Sequence, residues 1–262
     1  MSPNFKKILK PIVLALQQLG LDPFKMISLK NYLRYRKDKR EWINKGGKIT
    51  HSQMVLSDYD DVAGNARGHY FHQDLLVANF IYKNNPRRHI DVASRIDGFV
   101  AHVASFREVE IVDVRPLGKS KHENIKFVQA DLMSAQDLGE TDSLSCLHAI
   151  EHFGLGRYND PINVDGHIKG ITNLVKLVSK GGYLYISFPI GQNDEIHFNA
   201  HRVFRADTIL KHPSIKEIMK LIRFDYVDDV GNLHTDIEIQ DVNTDIKYGC
   251  GIYTFKKITN DN

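Results

Sequence analysis

Short apolar strands alternate with amphipathic helices between residues 89 and 188, and this alternation constrains the fold more than any other feature. The predicted strands are His89–Ala93, Val109–Val114, Ile125–Val128, Ser143–Ala149 and Tyr183–Phe188. Helical periodicity occupies 97–106 and 164–179 between them. Such a chain forms a parallel sheet with helices on both faces, and right-handed crossovers bring the carboxyl ends of the strands to one edge. Ligands bind at that edge.

The flanking segments divide the chain into two predicted parts. Residues 5–19 and 26–43 have helical spacing, and a Lys-Gly-Gly-Lys turn at 45–48 follows them. We therefore expect a helical arm over 1–60 and an α/β domain over 61–262. Further elements are predicted in that domain. They are helices over 69–84 and 206–221 and strands over 222–227 and 248–256.

Charge is concentrated in the arm. Residues 1–40 carry ten basic and two acidic side chains, a net +8, whereas the whole chain carries +3. This pattern fits peripheral contact with an anionic membrane surface, or alternatively a solvated helical face that covers part of the domain. No aromatic platform accompanies the basic residues, so nucleic-acid binding is not expected.

Cysteine content and hydropathy bear on localisation. The two cysteines, Cys146 and Cys250, are far apart in the sequence, and no run of 18 apolar residues occurs. This favours a reducing compartment without a membrane span. The expected localisation is cytoplasmic, with peripheral contact at the inner membrane surface left open.

Acidic residues stand at the ends of the first three predicted strands. They are Asp91, Asp113 and Asp131. An acid after the second strand can accept hydrogen bonds from the two ribose hydroxyls of an adenosine-containing cofactor. An acid after the third strand can accept one from the adenine amino group. The spacing therefore predicts an adenosine-binding site at this edge of the sheet.

Several segments resemble a known family. They are His89–Phe99, Val109–Val114, Val128–Leu132, Ser145–His152 and Lys180–Pro189. On these residues, 89–190 resembles the core of class I S-adenosylmethionine-dependent methyltransferases. This implies a Rossmann-like sheet with helices on both faces and S-adenosylmethionine as cofactor.

A narrower resemblance covers roughly residues 60–255. Ser94–Phe99 and Gly68–Asp74 are similar to a subfamily of uncharacterised bacterial proteins, which look like methyltransferases encoded with surface-polysaccharide biosynthesis genes. The resemblance implies an enzyme that transfers a methyl group to an oxygen or nitrogen of a small polar, sugar-linked acceptor.

The first loop departs from the family pattern. The family has acid-x-Gly-x-Gly-x-Gly, whereas Ala93, Arg95 and Asp97 stand at the glycine positions here and Gly98 follows one place late. Glycine lets the backbone bend and lets the cofactor lie against it. Arg95 has three possible roles: it could pair with the methionine carboxylate of the cofactor, fill the pocket or bind a phosphate.

The resemblance also implies which residues form the site. The expected cofactor-binding residues are Asp91, Ala93, Ser94, Arg95, Gly98, Asp113, Val114, Asp131, Leu132 and His148. The residues expected to face the acceptor are Glu151, His152, His201 and Arg202. A histidine of near-neutral pKa could accept the acceptor's proton as the methyl group is transferred.

Two other histidine patterns point elsewhere. His148–His152 spells H-x-x-E-H, a zinc-peptidase string, but that motif needs a helix and here it ends an apolar strand. His69 and His72 with Asp74 could cover the first loop or bind a metal. No metal-ligand set is assigned from the sequence.

Two rival functions remain open. The altered first loop is compatible with a catalytically inactive binding or scaffold protein of the same fold. It is also compatible with a different transferase that acts on a nucleotide-linked sugar. The sequence does not predict an oligomeric state.

Overall fold

The computed structural model describes residues 27–134 and 137–258. The chain divides into two compact units, Met1–Asn65 and Ala66–Asn262. In the first unit, a 3₁₀ turn at Ile27–Asn31 leads into helix α1, Tyr32–Asn44. Gly46 then turns the chain with φ +85°, as the sequence predicts. The helix predicted over 5–19 lies outside the described residues.

The first unit is held together by polar contacts. The Asn31 side-chain amide donates to the Leu56 carbonyl oxygen at 3.0 Å and to Asp60 Oδ2 at 2.7 Å. These bonds join the start of α1 to a short 3₁₀ turn, Asp58–Asp60. Among the residues described, no helix is both long and apolar enough to cross a bilayer.

The second unit contains an eight-stranded sheet, whose strands are β1 His89–Val92, β2 Val109–Asp113, β3 Ile125–Gln129, β4 Thr141–Leu147, β5 Val178–Ile190, β8 Met219–Val227, β9 Leu233–His234 and β10 Gly249–Lys257. The strands lie in the order β3-β2-β1-β4-β5-β10-β8-β9. Strands β1 to β5 are parallel, and β10 runs antiparallel between β5 and β8. The order reverses between β1 and β4, which makes that edge the topological switch point. A separate hairpin pairs β6, Glu195–His197, with β7, His201–Val203.

Helices cover both faces of the large sheet. They are α2 His69–Asn84, α3 Ala101–Ala104, α4 Gly166–Leu177 and α5 Pro213–Ile218. A π-helical turn, Ile96–Val100, precedes α3, and 3₁₀ turns lie at Ile150–His152, Thr208–Lys211 and Ile239–Asp241. The predicted Rossmann-like α/β fold with helices on both faces is confirmed.

Two apolar clusters show how the strands separate these faces. Val77 and Ile81 of α2 pack with Tyr185 of β5, whereas Leu174 of α4 packs with Leu184 and Ile186 on the other side. The side chains of β5 alternate between the clusters because successive residues of a strand point to opposite faces. Each fully buried aliphatic side chain contributes about 1.5–3 kcal/mol. Helix α2 ends where predicted, with Asn85 in the left-handed conformation.

Two predicted elements are corrected. The sequence places Lys180-Gly181-Gly182 as the cap of a helix, but α4 ends at Leu177 and these residues lie within β5. Gly181, with φ +75°, sits where the β4–β5 register shifts between Thr141 and Ser143. The helix predicted over 206–221 is broken at His212, before Pro213, and becomes β8 at Met219.

Candidate functional site

A cavity of about 590 Å³ opens at the carboxyl edge of the sheet, beside the switch point. Its walls come from the loops after β1, β2 and β4, with Tyr70 of α2 and Tyr248 just before β10. A smaller pocket of about 50 Å³ shares Ala93, Asp113 and His148 in its walls. Ligand sites commonly have volumes of about 300–1,000 Å³. The two pockets together form the candidate site.

The loop after β1 adopts a glycine-like bend without a glycine. Ala93 has φ +58°, and its amide donates to the Val112 carbonyl oxygen at 2.9 Å. The left-handed conformation costs a non-glycine residue about 1–2 kcal/mol. Ala93 lines both pockets. A methyl group therefore stands where the family's glycine would leave open space.

Arg95 borders the larger cavity and does not fill it. Its guanidinium donates to both carboxylate oxygens of Asp97, at 3.2 and 3.0 Å, and lies 5.0 Å from the centroid of the Tyr70 ring. The Arg95 side chain is 52% exposed. Gly98 lines neither pocket, contrary to its predicted role. A Cβ at Gly98 would lie 2.7 Å from Asp74 Oδ2, so this glycine serves close packing against α2.

Asp91 is buried beneath the loop instead of lining the cofactor pocket. Its Oδ1 accepts hydrogen bonds from the Ser145 hydroxyl at 2.5 Å and the Ser94 hydroxyl at 2.7 Å. Its Oδ2 accepts one from the Ser94 amide at 3.1 Å. Ser94 itself lines the larger cavity. Burial raises the pKa of Asp91 to about 6, although these hydrogen bonds oppose the shift.

The raised pKa of Asp91 predicts a pH-dependent stability. An unfolded aspartate has a pKa of 3.8 and the folded one about 6, so the folded state binds more protons between these values. The free energy of unfolding therefore falls as the pH rises through this window, by about 3 kcal/mol for this group. Asp91→Asn should remove that contribution.

Urea unfolding of both proteins at pH 4.5 and pH 7.5 measures the effect. We expect the variant to gain stability relative to wild type at the higher pH, because only the wild-type protein must bury a carboxylate charge there. The same stability difference at both pH values would contradict a raised pKa.

Asp113, at the end of β2, is engaged by a neighbouring arginine. Its Oδ1 accepts from the Arg115 amide at 2.8 Å and from Arg115 Nε at 3.0 Å, and its Oδ2 accepts from Arg115 Nη2 at 2.6 Å. The Arg115 guanidinium lies 4.5 Å from the centroid of the Tyr158 ring. A carboxylate has about four lone-pair positions. Three are occupied, so a ribose hydroxyl would have to use the remaining one or displace the guanidinium.

Asp131 lines the smaller pocket, which has an otherwise largely apolar wall. Asp131 Oδ1 accepts a hydrogen bond from the Met133 amide at 2.8 Å. The apolar part of the wall includes Val114, Leu132, Ala149 and Phe153. A narrow slot whose wall combines apolar side chains with the carboxylates of Asp113, Asp131 and Asp160 suits a flat aromatic ring that carries an amino group.

A pair of buried polar side chains follows β4. His148, in the left-handed conformation with φ +49°, has its Nδ1 2.9 Å from Glu151 Oε1. Burial lowers the pKa of His148, but the neighbouring Cys250 sulfur and the Glu151 carboxylate raise it by more, so that it lies well above its usual value. Both residues line the larger cavity.

His152 and His201 also line the larger cavity. His152 Nδ1 lies 2.7 Å from the Ala200 carbonyl oxygen, and its Nε2 lies 3.6 Å from Glu151 Oε1. A carbonyl oxygen can only accept, so Nδ1 carries the proton and Nε2 carries the lone pair. Burial lowers the pKa of His152, partly offset by Glu151, and burial also lowers the pKa of His201.

Arg202 does not line either pocket, although the sequence predicts that it faces the acceptor. The side chain is buried, and its Nη1 donates to the carbonyl oxygens of Glu151 at 3.2 Å and Phe153 at 2.7 Å. Its guanidinium thus holds the loop that carries Glu151 and His152. Arg202 therefore positions the loop after β4 and does not line the cavity itself.

Sequence reasoning missed several residues of the cavity wall. They are Tyr70, Arg115, Arg157, Tyr158 and Tyr248. Arg157 donates to the Ala200 carbonyl oxygen at 2.8 Å and lies 5.2 Å from the Tyr158 ring centroid. No carboxylate of the described residues lies within 4 Å of it. The one available signal was the Asp113-x-Arg115 spacing, which suits a bidentate pair.

Solved structures of methyltransferases are similar to this chain. N-methyltransferase NodS from Bradyrhizobium japonicum WM9, with S-adenosyl-L-homocysteine, is 11% identical, with 79% of this chain and 93% of that chain covered and a TM-score of 0.49. An S-adenosylmethionine-dependent methyltransferase from Clostridium acetobutylicum ATCC 824 is 13% identical, with 86% and 99% covered and a TM-score of 0.48. Coclaurine N-methyltransferase is 10% identical, with 97% and 94% covered and a TM-score of 0.49. No activity follows from likeness at this level.

The fold and its site define a Rossmann-like α/β protein with a cavity at the switch point. A family model described as "Caenorhabditis protein of unknown function, DUF268" matches residues 108–246, just over half of the chain. The chain belongs to this family. No curated protein matches the sequence. The bacterial and polysaccharide associations stay predictions from the sequence.

Proposed function

We propose that this protein transfers a methyl group from S-adenosylmethionine to an oxygen or nitrogen of a small, polar, sugar-linked acceptor. One observation carries the proposal. Asp113, Asp131 and His152, which come from three separate loops, line two pockets with shared walls at the carboxyl edge of the sheet. This edge is where parallel α/β sheets bind nucleotide-like ligands.

The residues present fit the adenosine part of the cofactor. The slot beside Asp131 has an apolar wall for the adenine ring and a carboxylate oxygen for its amino group. Asp113 keeps a lone-pair position for a ribose hydroxyl. Arg95 is exposed and lines the larger cavity. Its guanidinium can bind the methionine carboxylate of the cofactor once its contact with Asp97 is broken.

The bound cofactor supplies a methyl group on a positively charged sulfur atom. His152 accepts the proton that the acceptor loses, because Nδ1 donates its own proton to the Ala200 carbonyl and the lone pair is then on Nε2. Glu151, 3.6 Å from Nε2, stabilises the imidazolium that forms. Arg202 keeps the loop in place through its two carbonyl contacts.

The acceptor class is supported by the polar wall of the larger cavity. Arg157 has no carboxylate within 4 Å among the described residues and lines that wall together with His201 and Tyr248. A guanidinium without a carboxylate partner among the described residues suits a phosphate or carboxylate ligand, and aromatic faces with hydroxyl groups suit a sugar ring. A sugar joined to a phosphate or nucleotide satisfies both features.

The direct test is release of S-adenosylhomocysteine in the presence of sugar nucleotides and sugar phosphates. We expect at least one acceptor to raise the release above the rate without acceptor, and mass spectrometry to find the product heavier by one methylene group. No release with any of these acceptors, from protein shown to be folded, would contradict the proposed reaction.

Asp131→Ala is expected to weaken S-adenosylmethionine binding about tenfold or more. The substitution removes the acceptor of the adenine amino group in a partly buried slot, where one hydrogen bond to a charged group is worth about 1.5–3 kcal/mol. Asp137→Ala is the matched control, because Asp137 is in the same β3–β4 connection, is exposed and lines neither pocket. Equal dissociation constants for the two variants would place the adenine elsewhere.

A binding role without catalysis is the second candidate, and the Arg115–Asp113 pair favours it. The bidentate contact occupies most of the carboxylate that ribose would use. In that case the protein would bind a nucleotide-linked ligand in the larger cavity and release no S-adenosylhomocysteine. The same assay therefore separates the two functions.

A further inference from the structure

Three metal-ligating side chains from distant parts of the sequence meet beside the larger cavity. His69 begins α2, His148 follows β4, and Cys250 lies in β10. One ligand atom from each lies within 4.8 Å of the others. The grouping differs from the sequence hypothesis, in which His69 joined His72 and Asp74, because the fold brings together residues 79 and 102 positions apart.

The hydrogen-bonding of His148 leaves one ring nitrogen for a metal ion. Its Nδ1 lies 2.9 Å from Glu151 Oε1. Its Nε2 is buried and makes no hydrogen bond of ordinary geometry with the described residues. Histidine ligands usually have their second nitrogen hydrogen-bonded to a carboxylate or carbonyl, which fixes the ring and raises its basicity. Glu151 has that position.

The three ligands are held by rigid parts of the fold. The His69 and His148 rings stack with centroids 5.3 Å apart and planes within 7°, and His69 also stacks on Tyr248 at 5.5 Å. Cys250 is fully buried in a strand paired on both sides, opposite Pro189 and Val227. Ring stacking and strand pairing therefore hold the three side chains near one another.

We propose that His69, His148 and Cys250 bind a divalent transition-metal ion, with Zn²⁺ as the best match. One thiolate and two imidazoles suit zinc, whereas magnesium and calcium prefer oxygen ligands. With Zn–N of about 2.0–2.1 Å and Zn–S of about 2.3 Å, the two nitrogens lie about 3.3 Å apart in a tetrahedral site and each lies about 3.6 Å from the sulfur. The ligand atoms, which lie within 4.8 Å of one another, therefore need to move closer by at most about 1.5 Å.

Metal binding releases protons from the protein ligands. The Cys250 thiol and the protonated His148 ring each lose a proton to solvent, so that one thiolate and two neutral imidazoles bind the metal. Three protein ligands leave the fourth tetrahedral position for water or a bound molecule. His148 lines the larger cavity, so this position would adjoin the space assigned to the acceptor. The inference does not depend on methyl transfer.

Cobalt(II) titration of the full chain, first freed of metal with a chelator, tests the site. We expect one equivalent to produce a thiolate-to-cobalt charge-transfer band in the near ultraviolet, and Zn²⁺ to abolish it stoichiometrically. Cys250→Ser should remove the band. Cys146→Ser, which changes the other buried cysteine, should keep it.

A second variant distinguishes loss of a metal ligand from loss of folding. His69→Phe retains an aromatic ring to stack on His148 and Tyr248 but removes a ligand, and we expect cobalt affinity to fall at least tenfold while circular dichroism is unchanged. A wild-type protein without the charge-transfer band overturns the proposal. So does a band that persists in Cys250→Ser.

Discussion

His152→Asn is expected to lower kcat for methyl transfer by about 10²–10⁴-fold, the usual contribution of a general base. The asparagine amide can still donate to the Ala200 carbonyl oxygen, 2.7 Å from Nδ1 in the wild-type protein, so the loop keeps its support. What is lost is the Nε2 lone pair. The rate should be measured with an acceptor that the wild-type protein turns over, together with the dissociation constant for S-adenosylmethionine.

A loss confined to kcat distinguishes proton transfer from a structural effect. His152 lines the adenine slot as well, but the dissociation constant should stay within about twofold, because asparagine keeps the contact with the Ala200 carbonyl and the Asp131 carboxylate is unchanged. His122→Gln is the control, since His122 is exposed between β2 and β3 and lines neither pocket. A kcat within threefold of wild type in His152→Asn would rule out His152 as the base.

Gly154→Ala is expected to lower the free energy of unfolding by about 3 kcal/mol or more. Gly154 has φ +79°, and an added Cβ would overlap the backbone carbonyl of Asn163. The left-handed conformation alone costs a non-glycine residue about 1–2 kcal/mol. The overlap adds to that cost because the Asn163 amide also donates to the Gly154 carbonyl at 3.0 Å, which holds the two segments together.

Gly139→Ala separates these two contributions. Gly139 has φ +68°, but its added Cβ would meet only the end of the Arg88 side chain, at 3.3 Å. Urea unfolding of both variants should show a loss of about 1 kcal/mol at Gly139 and a much larger one at Gly154. Equal losses would mean that the loop after β4 moves freely away from Asn163.

The sheet could be predicted from the sequence because apolar periodicity reports burial directly. Strands β1 to β4 begin or end within about two residues of their predicted bounds, and α2 matches its predicted bounds. The failures have local causes. The Gly181-Gly182 pair resembles a helix cap in sequence, but β5 accommodates it as an irregularity in its pairing with β4.

The candidate site was less predictable because spacing does not reveal which partner a side chain takes. The sequence predicts Asp91 in the pocket, but its carboxylate instead accepts hydrogen bonds from Ser94 and Ser145 beneath the loop. Arg115, only two positions away in the sequence, occupies most of the hydrogen-bonding positions of the Asp113 carboxylate. Cys250 meets His148 only because β10 inserts between β5 and β8, a long-range pairing that no local pattern encodes.

Calorimetric titration of the folded protein with S-adenosylmethionine and S-adenosylhomocysteine measures whether the carboxyl edge of the sheet binds this cofactor. Binding of either at micromolar concentration, weakened in Asp131→Ala and unchanged in Asp137→Ala, is the predicted result. It would show that a loop with Ala93, Arg95 and Asp97 in place of glycines still serves this cofactor. Absence of binding to both ligands would contradict the methyltransferase account and favour a different ligand in the same cavity.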